Sequence, residues 1–202
     1  MRAIREHRNL IENGIGQEKF MLRLSKHRHF WILLLLFAAC LLAFKLVLNK
    51  LQMCCGTTQI PDTFFHYTPQ QLYRLFQTYG TVGKKWYLIA MGIDLIYPLV
   101  YANLLSSVLT FLVGRVSTKD VTRCRLCVLP FAAAFADYVE NGLQIYLLLR
   151  FPAQVSAIAL FSAWVTTTKW LLIYFTFLVI LVLSGRIVVR RIKGSGLRAS
   201  AR

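Results

Sequence analysis

Residues 30–48 read FWILLLLFAACLLAFKLVL, a run of nineteen residues in which Lys45 is the only charged side chain. A helix needs about 20 apolar residues to cross the roughly 30 Å hydrocarbon layer of a bilayer. The run is continuously apolar, whereas the strands of membrane barrels alternate between apolar and polar residues. It therefore predicts a membrane-spanning helix and an all-α fold.

Three further segments have the same character: residues 86–113, 126–149 and 155–184. Together with the first segment they predict a polytopic membrane protein, a four-transmembrane-helix bundle over residues 30–184. A basic segment, 1–29, precedes the bundle and a basic tail, 185–202, follows it. Because the second and fourth segments are longer than a straight crossing requires, we expect tilted helices, a kink at Pro98 or an end that protrudes into the headgroups.

The loop between the first two spans contains a short helix, predicted at residues 69–80. Thr68 supplies an N-cap, Pro69 the first helical position, Gln71 a capping-box partner, and Gly80 a stop. Its apolar side chains recur with helical spacing on one face: Leu72, Leu75, Phe76 and Tyr79. An amphipathic helix of this kind either lies on the outer membrane surface or packs on the protein's own loops.

The charge balance is strongly positive, with 24 Lys and Arg residues against 8 Asp and Glu residues. A soluble nucleic-acid-binding domain is excluded, because 57% of the residues are hydrophobic and the mean hydropathy is +0.55. Seven cations precede the first span, four separate the second and third spans, and six follow the fourth, against five in the two opposite loops. This asymmetry predicts a multi-pass protein of the cell membrane with both termini in the cytoplasm, where anionic headgroups are the expected partners.

Besides Lys45 near the end of the first span, four charged residues fall inside the predicted spans: Asp94, Asp137, Glu140 and Lys169. An ionised group at the centre of a bilayer costs about 2.5–3.5 kcal/mol on insertion scales, so such groups face the interior of a bundle and pair there. Asn141 follows Glu140 on the polar stripe of the third span, and Tyr97 and Tyr101 share a face with Asp94 in the second span. Three spans therefore each present a polar face.

The estimated depths bring these groups together in pairs. We expect Asp137 to form an ion pair with Lys169, and Asp94 to lie near Glu140 with tyrosine hydroxyls as donors. Three carboxylates against one lysine would leave a dry site with excess negative charge, so a shared proton, a bound cation or a water-filled cavity must compensate. The alternative is a polar clamp that only sets the register of the helices. Trp86, Tyr87 and Trp170 are interpreted as interface or packing aromatics.

Two motifs resemble those of a group of small four-span membrane proteins in which an Asp-x-x-x-Pro-x-x-Tyr helix precedes an Asp-x-x-Glu-Asn helix. The first motif runs from Asp94 through Pro98 to Tyr101, and the second from Asp137 to Asn141. The resemblance covers residues 67–176 and implies the same choice of polar residues, without implying a reaction.

Three functions follow as hypotheses. The first is a protein that binds or moves a proton, an ion or a small solute through a water-accessible polar site. The second is an intramembrane enzyme acting on a lipid or isoprenoid, which requires an apolar pocket beside the acids. The third is a non-catalytic assembly or scaffold subunit, whose charges are mutually paired with no cavity, and an oligomer is compatible with all three.

Catalytic motifs give no support to the enzyme hypothesis. The sequence contains no Gly-rich phosphate loop, no His-Glu-x-x-His and no nucleophile with an evident base, so an enzyme is the less favoured class. Neither a metal ligand set nor a cofactor motif is evident. The site residues predicted from the sequence are therefore assigned to binding, and their chemistry is left open.

Overall fold

The protein is described by a computed structural model that covers residues 27–116 and 122–199, where every regular element is a helix. The α-helices in chain order are α1 (His27–Cys55), α2 (Pro69–Ile93), α3 (Tyr97–Val116), α4 (Thr122–Arg150) and α5 (Ser156–Ala199). A short 3-10 turn, Pro61–Thr63, lies between α1 and α2. The all-α prediction is confirmed; most of the predicted basic segment 1–29 and the last residues of the tail lie outside the described ranges.

Three helical segments of the described residues are long and apolar enough to cross a membrane: His29–Cys55, Pro69–Val116 and Ser156–Arg190. The sequence predicted four spans, and the predicted span 126–149 falls within α4. The polar residues on one side of α4 lower its mean hydropathy, so α4 is less apolar than the three segments named above. The structure thus supports a helical membrane protein.

The predicted second span, 86–113, is not a continuous helix. α2 ends at Ile93, the chain turns through residues 94–96, and α3 begins at Tyr97. Pro98 occupies the second position of α3, where its missing N–H has no helical partner to lose, and the residue before a proline disfavours helical backbone. The kink expected at Pro98 is therefore a helix break that begins four residues earlier, at Asp94.

The first half of α2 packs against the protein itself. Thr68 and Gln71 form the predicted capping box, and the four predicted apolar residues are all buried. They belong to a cluster that includes Leu51 of α1, Leu147 of α4 and Ala163 of α5. At Gly80 the chain kinks with φ +55° and ψ −156° and then continues as the second half of α2. The sequence left open contact with the membrane surface or with the protein's own loops; in the structure this face packs against both the loop and the helices of the protein itself.

Small residues allow the helices that carry the polar groups to approach closely. Ala133 and Ala134 of α4 pack with Ala102 of α3, and Ala159 and Ala163 of α5 are fully buried. Small side chains at helix contacts are typical of membrane bundles, where close packing drives association. α4 consequently lies between α3 and α5, and its polar face is turned toward both.

The backbone at Gly80 provides a test of this kink. The Gly80→Ala substitution places a β-carbon on a conformation that is essentially restricted to glycine, and we expect it to lower the free energy of unfolding in detergent micelles by about 1–3 kcal/mol. The same substitution at Gly92, an exposed position of α2 with open space for a β-carbon, is the control and should cause no loss. Equal effects of the two substitutions, measured by chemical denaturation, would contradict the kink.

Candidate functional site

The ammonium group of Lys169 in α5 lies at the centre of a cluster of acids. Lys169 is 2% exposed, and its Nζ is 2.6 Å from Glu140 Oε2 and 3.2 Å from Asp137 Oδ1, both in α4. A third ion pair joins Lys169 to Asp62. The structure thus contains the Asp137–Lys169 pair expected from the sequence, and it adds two further carboxylates to the same ammonium group.

Asp62 is a site residue that the sequence analysis missed. It lies in the 3-10 turn Pro61–Thr63, and the indole Nε1 of Trp170 donates a hydrogen bond to its carbonyl oxygen at 3.2 Å. Its side chain is 21% exposed, so it closes the end of the site nearest the loop. The available signal was that Asp62 is the only acidic residue of the loop 49–85. Because Asp62 lies in a loop, it was not expected to reach the charged residues of the spans.

Asp94 and Asn141 stabilise the break between α2 and α3. Asn141 Nδ2 donates to Asp94 Oδ2 at 2.7 Å and to the Asp94 carbonyl at 3.3 Å, and the Tyr138 hydroxyl donates to the Leu95 carbonyl at 2.7 Å. Within hydrocarbon, backbone groups released by a helix break need partners from the protein. These side chains of α4 therefore supply donors to the carbonyl oxygens of Asp94 and Leu95 at the helix break.

Three carboxyl groups come together beside the lysine. One oxygen each from Asp62, Asp94 and Asp137 lies within 4.8 Å of the others. From the sequence, Asp94 was expected near Glu140. In the structure the carboxyl group of Asp94 is grouped with those of Asp62 and Asp137, and Glu140 pairs with Lys169. No metal was expected from the sequence, yet this spacing is compatible with one cation held by carboxylate oxygens.

A second set of hydrogen bonds surrounds Glu140. Gln144 Nε2 and Thr166 Oγ1 donate to Glu140 Oε1 at 2.6 and 2.7 Å. The hydroxyl of Tyr87, which is fully buried, donates in turn to Gln144 Oε1. Tyr87 was interpreted from the sequence as an interface or packing aromatic. Its ring does pack, in the same core cluster as the first half of α2, and its hydroxyl also connects it to the acids through Gln144. Its position two residues after a lysine pair gave no signal of this contact.

The two predicted tyrosines have different roles. The Tyr101 hydroxyl donates to Asp137 Oδ2 at 3.1 Å, as expected of a donor in this site. The ring of Tyr97 packs against Phe37 and Phe44 of α1 and against Tyr101. Tyr97 therefore links α1 to the site by ring contacts.

The loop before α2 packs against α5. Tyr67 is buried, its hydroxyl donates to Ser162 Oγ at 2.8 Å, and burial raises the pKa of this hydroxyl, which keeps it protonated as a donor. Nearby, His66 Nδ1 and Thr167 Oγ1 share a hydrogen bond of 2.9 Å. These contacts fix the loop that carries Asp62 on α5.

A cavity of about 190 Å³ adjoins the acids. Asp62, Asp137 and Lys169 form its polar end. Its remaining walls are apolar or aromatic and come from three helices: Phe37, Tyr97, Tyr101, Leu104, Leu105, Trp170, Ile173 and Phe177. A water molecule occupies about 30 Å³ of liquid, so this space is several times larger than one water.

We call Asp62, Asp94, Asp137 and Glu140 together with Lys169 the acidic site. All the predicted site residues contribute to it or adjoin it. If every group is ionised, four negative charges face one positive charge. Comparison of the chain with models of known protein families, with curated proteins and with solved structures finds no match.

Removing the lysine tests how far these charges depend on one another. Lys169→Met leaves the carboxylates buried without their cation, and loss of one partner of a buried ion pair costs about 3–5 kcal/mol. We expect the free energy of unfolding in micelles to fall by that order, and Glu140→Gln introduced on top of Lys169→Met should recover part of the loss. Lys45→Met, the same change at an exposed lysine of α1, is the control. A Lys169→Met protein as stable as the Lys45→Met protein would show that the ion pairs are not formed.

Proposed function

We propose that this chain is a four-span membrane protein that binds a cation, either a proton or the positively charged group of a small solute, in the acidic site. The observation that carries the proposal is the excess of buried carboxyl groups over ammonium groups next to a cavity. Bound positive charge is the simplest compensation for that excess.

The proposed fourth span is α4. Its 29 residues reach about 43 Å at 1.5 Å per residue, more than the hydrocarbon layer requires. Its polar side chains are buried against α3 and α5, while Phe135 and Leu149 on its other side are more than 60% exposed. An apolar outer face with a polar inner face is typical of a span that carries a functional site.

The cation distribution of the sequence supports the orientation. With both termini on the cytoplasmic side of the cell membrane, seventeen cations lie inside and five outside. Asp62 then belongs to an outer loop, so the acidic site lies nearer the outer side. A solute would enter from that side or from the bilayer.

A cation suits this site better than an anion. Lys169 is already paired with three carboxylates, and the remaining carboxylate, Asp94, accepts from a neutral amide. A phosphate or carboxylate ligand would meet a site whose formal charge is negative, and like charges at close range are unfavourable in a low dielectric. The site therefore favours a positively charged ligand.

The cavity favours binding over a purely structural role. A clamp that only sets helix register needs one or two hydrogen-bonded polar residues and no space beside them. Here Asp137 and Lys169 line a cavity larger than a water molecule. The scaffold hypothesis, which requires sealed charges and no cavity, is correspondingly weaker.

An intramembrane enzyme acting on a lipid or isoprenoid is the second candidate. The apolar walls of the cavity favour it, since Asp137 lies where it could serve as an acid or base for a substrate held there. This candidate differs from the first in requiring that the bound molecule be chemically changed. Product analysis after incubation with membrane lipids distinguishes the two.

Cation binding can be tested by proton release. Because a cation and protons compete for the same carboxylates, adding sodium, calcium or methylammonium chloride to the purified protein in weakly buffered micelles should release protons saturably for at least one of the three. We expect up to about one proton per chain, with tighter binding as the pH rises, as for any ligand that binds the deprotonated groups. A pH-indicator dye follows the release.

Substitutions of the carboxyl groups show whether the released protons come from the acidic site. Asp94→Asn and Asp137→Asn should each reduce the release several-fold, whereas Asp120→Asn, the same change at the remaining aspartate of the sequence, should leave it intact. Absence of saturable release with all three salts from folded wild-type protein, or its survival in both site variants, would refute cation binding.

A further inference from the structure

The cavity has two chemically different ends. Its polar end is formed by Asp62, Asp137 and Lys169 of the acidic site. We call its other end the apolar rim, which consists of Phe37, Leu104, Leu105, Ile173 and Phe177. A bare ion or a proton would use only the polar end, so the apolar rim needs a separate explanation.

The apolar rim lies where the bilayer would meet the bundle. Phe177 is eight residues beyond Lys169 in α5, about 12 Å further along the helix axis, and it is 53% exposed. Phe37 in α1 and Leu104 in α3 are half-buried on the other sides of the same space. The lining of the cavity therefore reaches from the acidic site along α5 to the exposed Phe177, with walls from α1, α3 and α5.

Three aromatic rings also line the cavity. They belong to Tyr97, Tyr101 and Trp170, and the Trp170 ring already lies 5.8 Å from the ammonium nitrogen of Lys169. Aromatic faces attract organic ammonium groups and are much less suited to strongly hydrated metal ions. With a volume of about 190 Å³, the cavity has room for about six water-sized groups, which suffices for a headgroup and the first few methylene groups of a chain.

From these observations we infer that the cavity binds a membrane-partitioned amphiphile with a cationic amine headgroup. The ammonium group lies at Asp62 and Asp137, and the hydrocarbon chain leaves over the apolar rim into the bilayer. This inference rests on the proposed cation binding and names the chemical class of the ligand. Charge complementarity selects the amine, because an acid or phosphate headgroup on the same chain would face a net negative site.

The test uses the full chain in phosphatidylcholine nanodiscs with tritiated dodecylammonium as the probe. We expect saturable binding that unlabelled dodecylammonium displaces and dodecanoate, which has the same chain length and a negative headgroup, does not. Methylammonium should displace the probe only at concentrations at least about tenfold higher, because it lacks the chain that concentrates the amine in the membrane. Displacement by dodecanoate as effective as by dodecylammonium would overturn the inference.

Variants separate the two ends of the cavity. Leu104→Trp fills part of the apolar rim and should weaken dodecylammonium binding roughly tenfold, an effect typical of overpacking, while proton release by methylammonium persists. Leu99→Trp, the same change at a 52% exposed position of α3 outside the cavity, is the control and should bind as wild type does. Asp137→Asn should reduce both readouts.

The outcomes distinguish this inference from the proposal it depends on. Cation-induced proton release without saturable dodecylammonium binding would overturn the amphiphile and leave cation binding in place. Loss of dodecylammonium binding in Leu99→Trp to the same degree as in Leu104→Trp would also overturn it, since the apolar rim would then have no special role. Absence of both proton release and dodecylammonium binding in folded protein would overturn both proposals.

Discussion

The ion pairs of Lys169 are the interaction on which the rest of the bundle depends. One ammonium group, 2% exposed, connects α5 with two acids of α4 and with the turn that contains Asp62. In a low-dielectric interior such charges are tolerated only when they are paired and hydrogen-bonded. The register of α4 against α5 and the position of the loop before α2 both follow from this requirement.

The helix break between α2 and α3 belongs to the same network. Pro98 favours the start of a new helix, but the unpaired backbone groups before it would be costly in a membrane without local partners. Asn141 and Tyr138 supply those partners from α4, and in doing so they bring Asp94 beside the other carboxyl groups. Structural polar residues and candidate binding residues are therefore interleaved on one helix.

Binding and structural roles need not exclude each other here. The carboxylate of Glu140 accepts hydrogen bonds from Gln144 and Thr166 and pairs with Lys169, as in a structural clamp. On the side of Asp62 and Asp137, the same ion-pair cluster borders a cavity with apolar walls. The half of the site around Glu140 is thus filled by hydrogen bonds and an ion pair, whereas the half around Asp62 and Asp137 faces a cavity.

The sequence alone determined the helical class and most of the polar residues of the site. Hydropathy and helical spacing are local properties, so they can be read from the chain without knowing how the helices pack. It also identified the Asp137–Lys169 pair, since both lie at similar depth in neighbouring spans. Only the tertiary structure brought Asp62 from a loop to Lys169, grouped Asp94 with Asp137, and connected Tyr87 to Glu140 through Gln144. These contacts join residues far apart in the chain, and they depend on a loop fold and a helix break that no periodicity encodes.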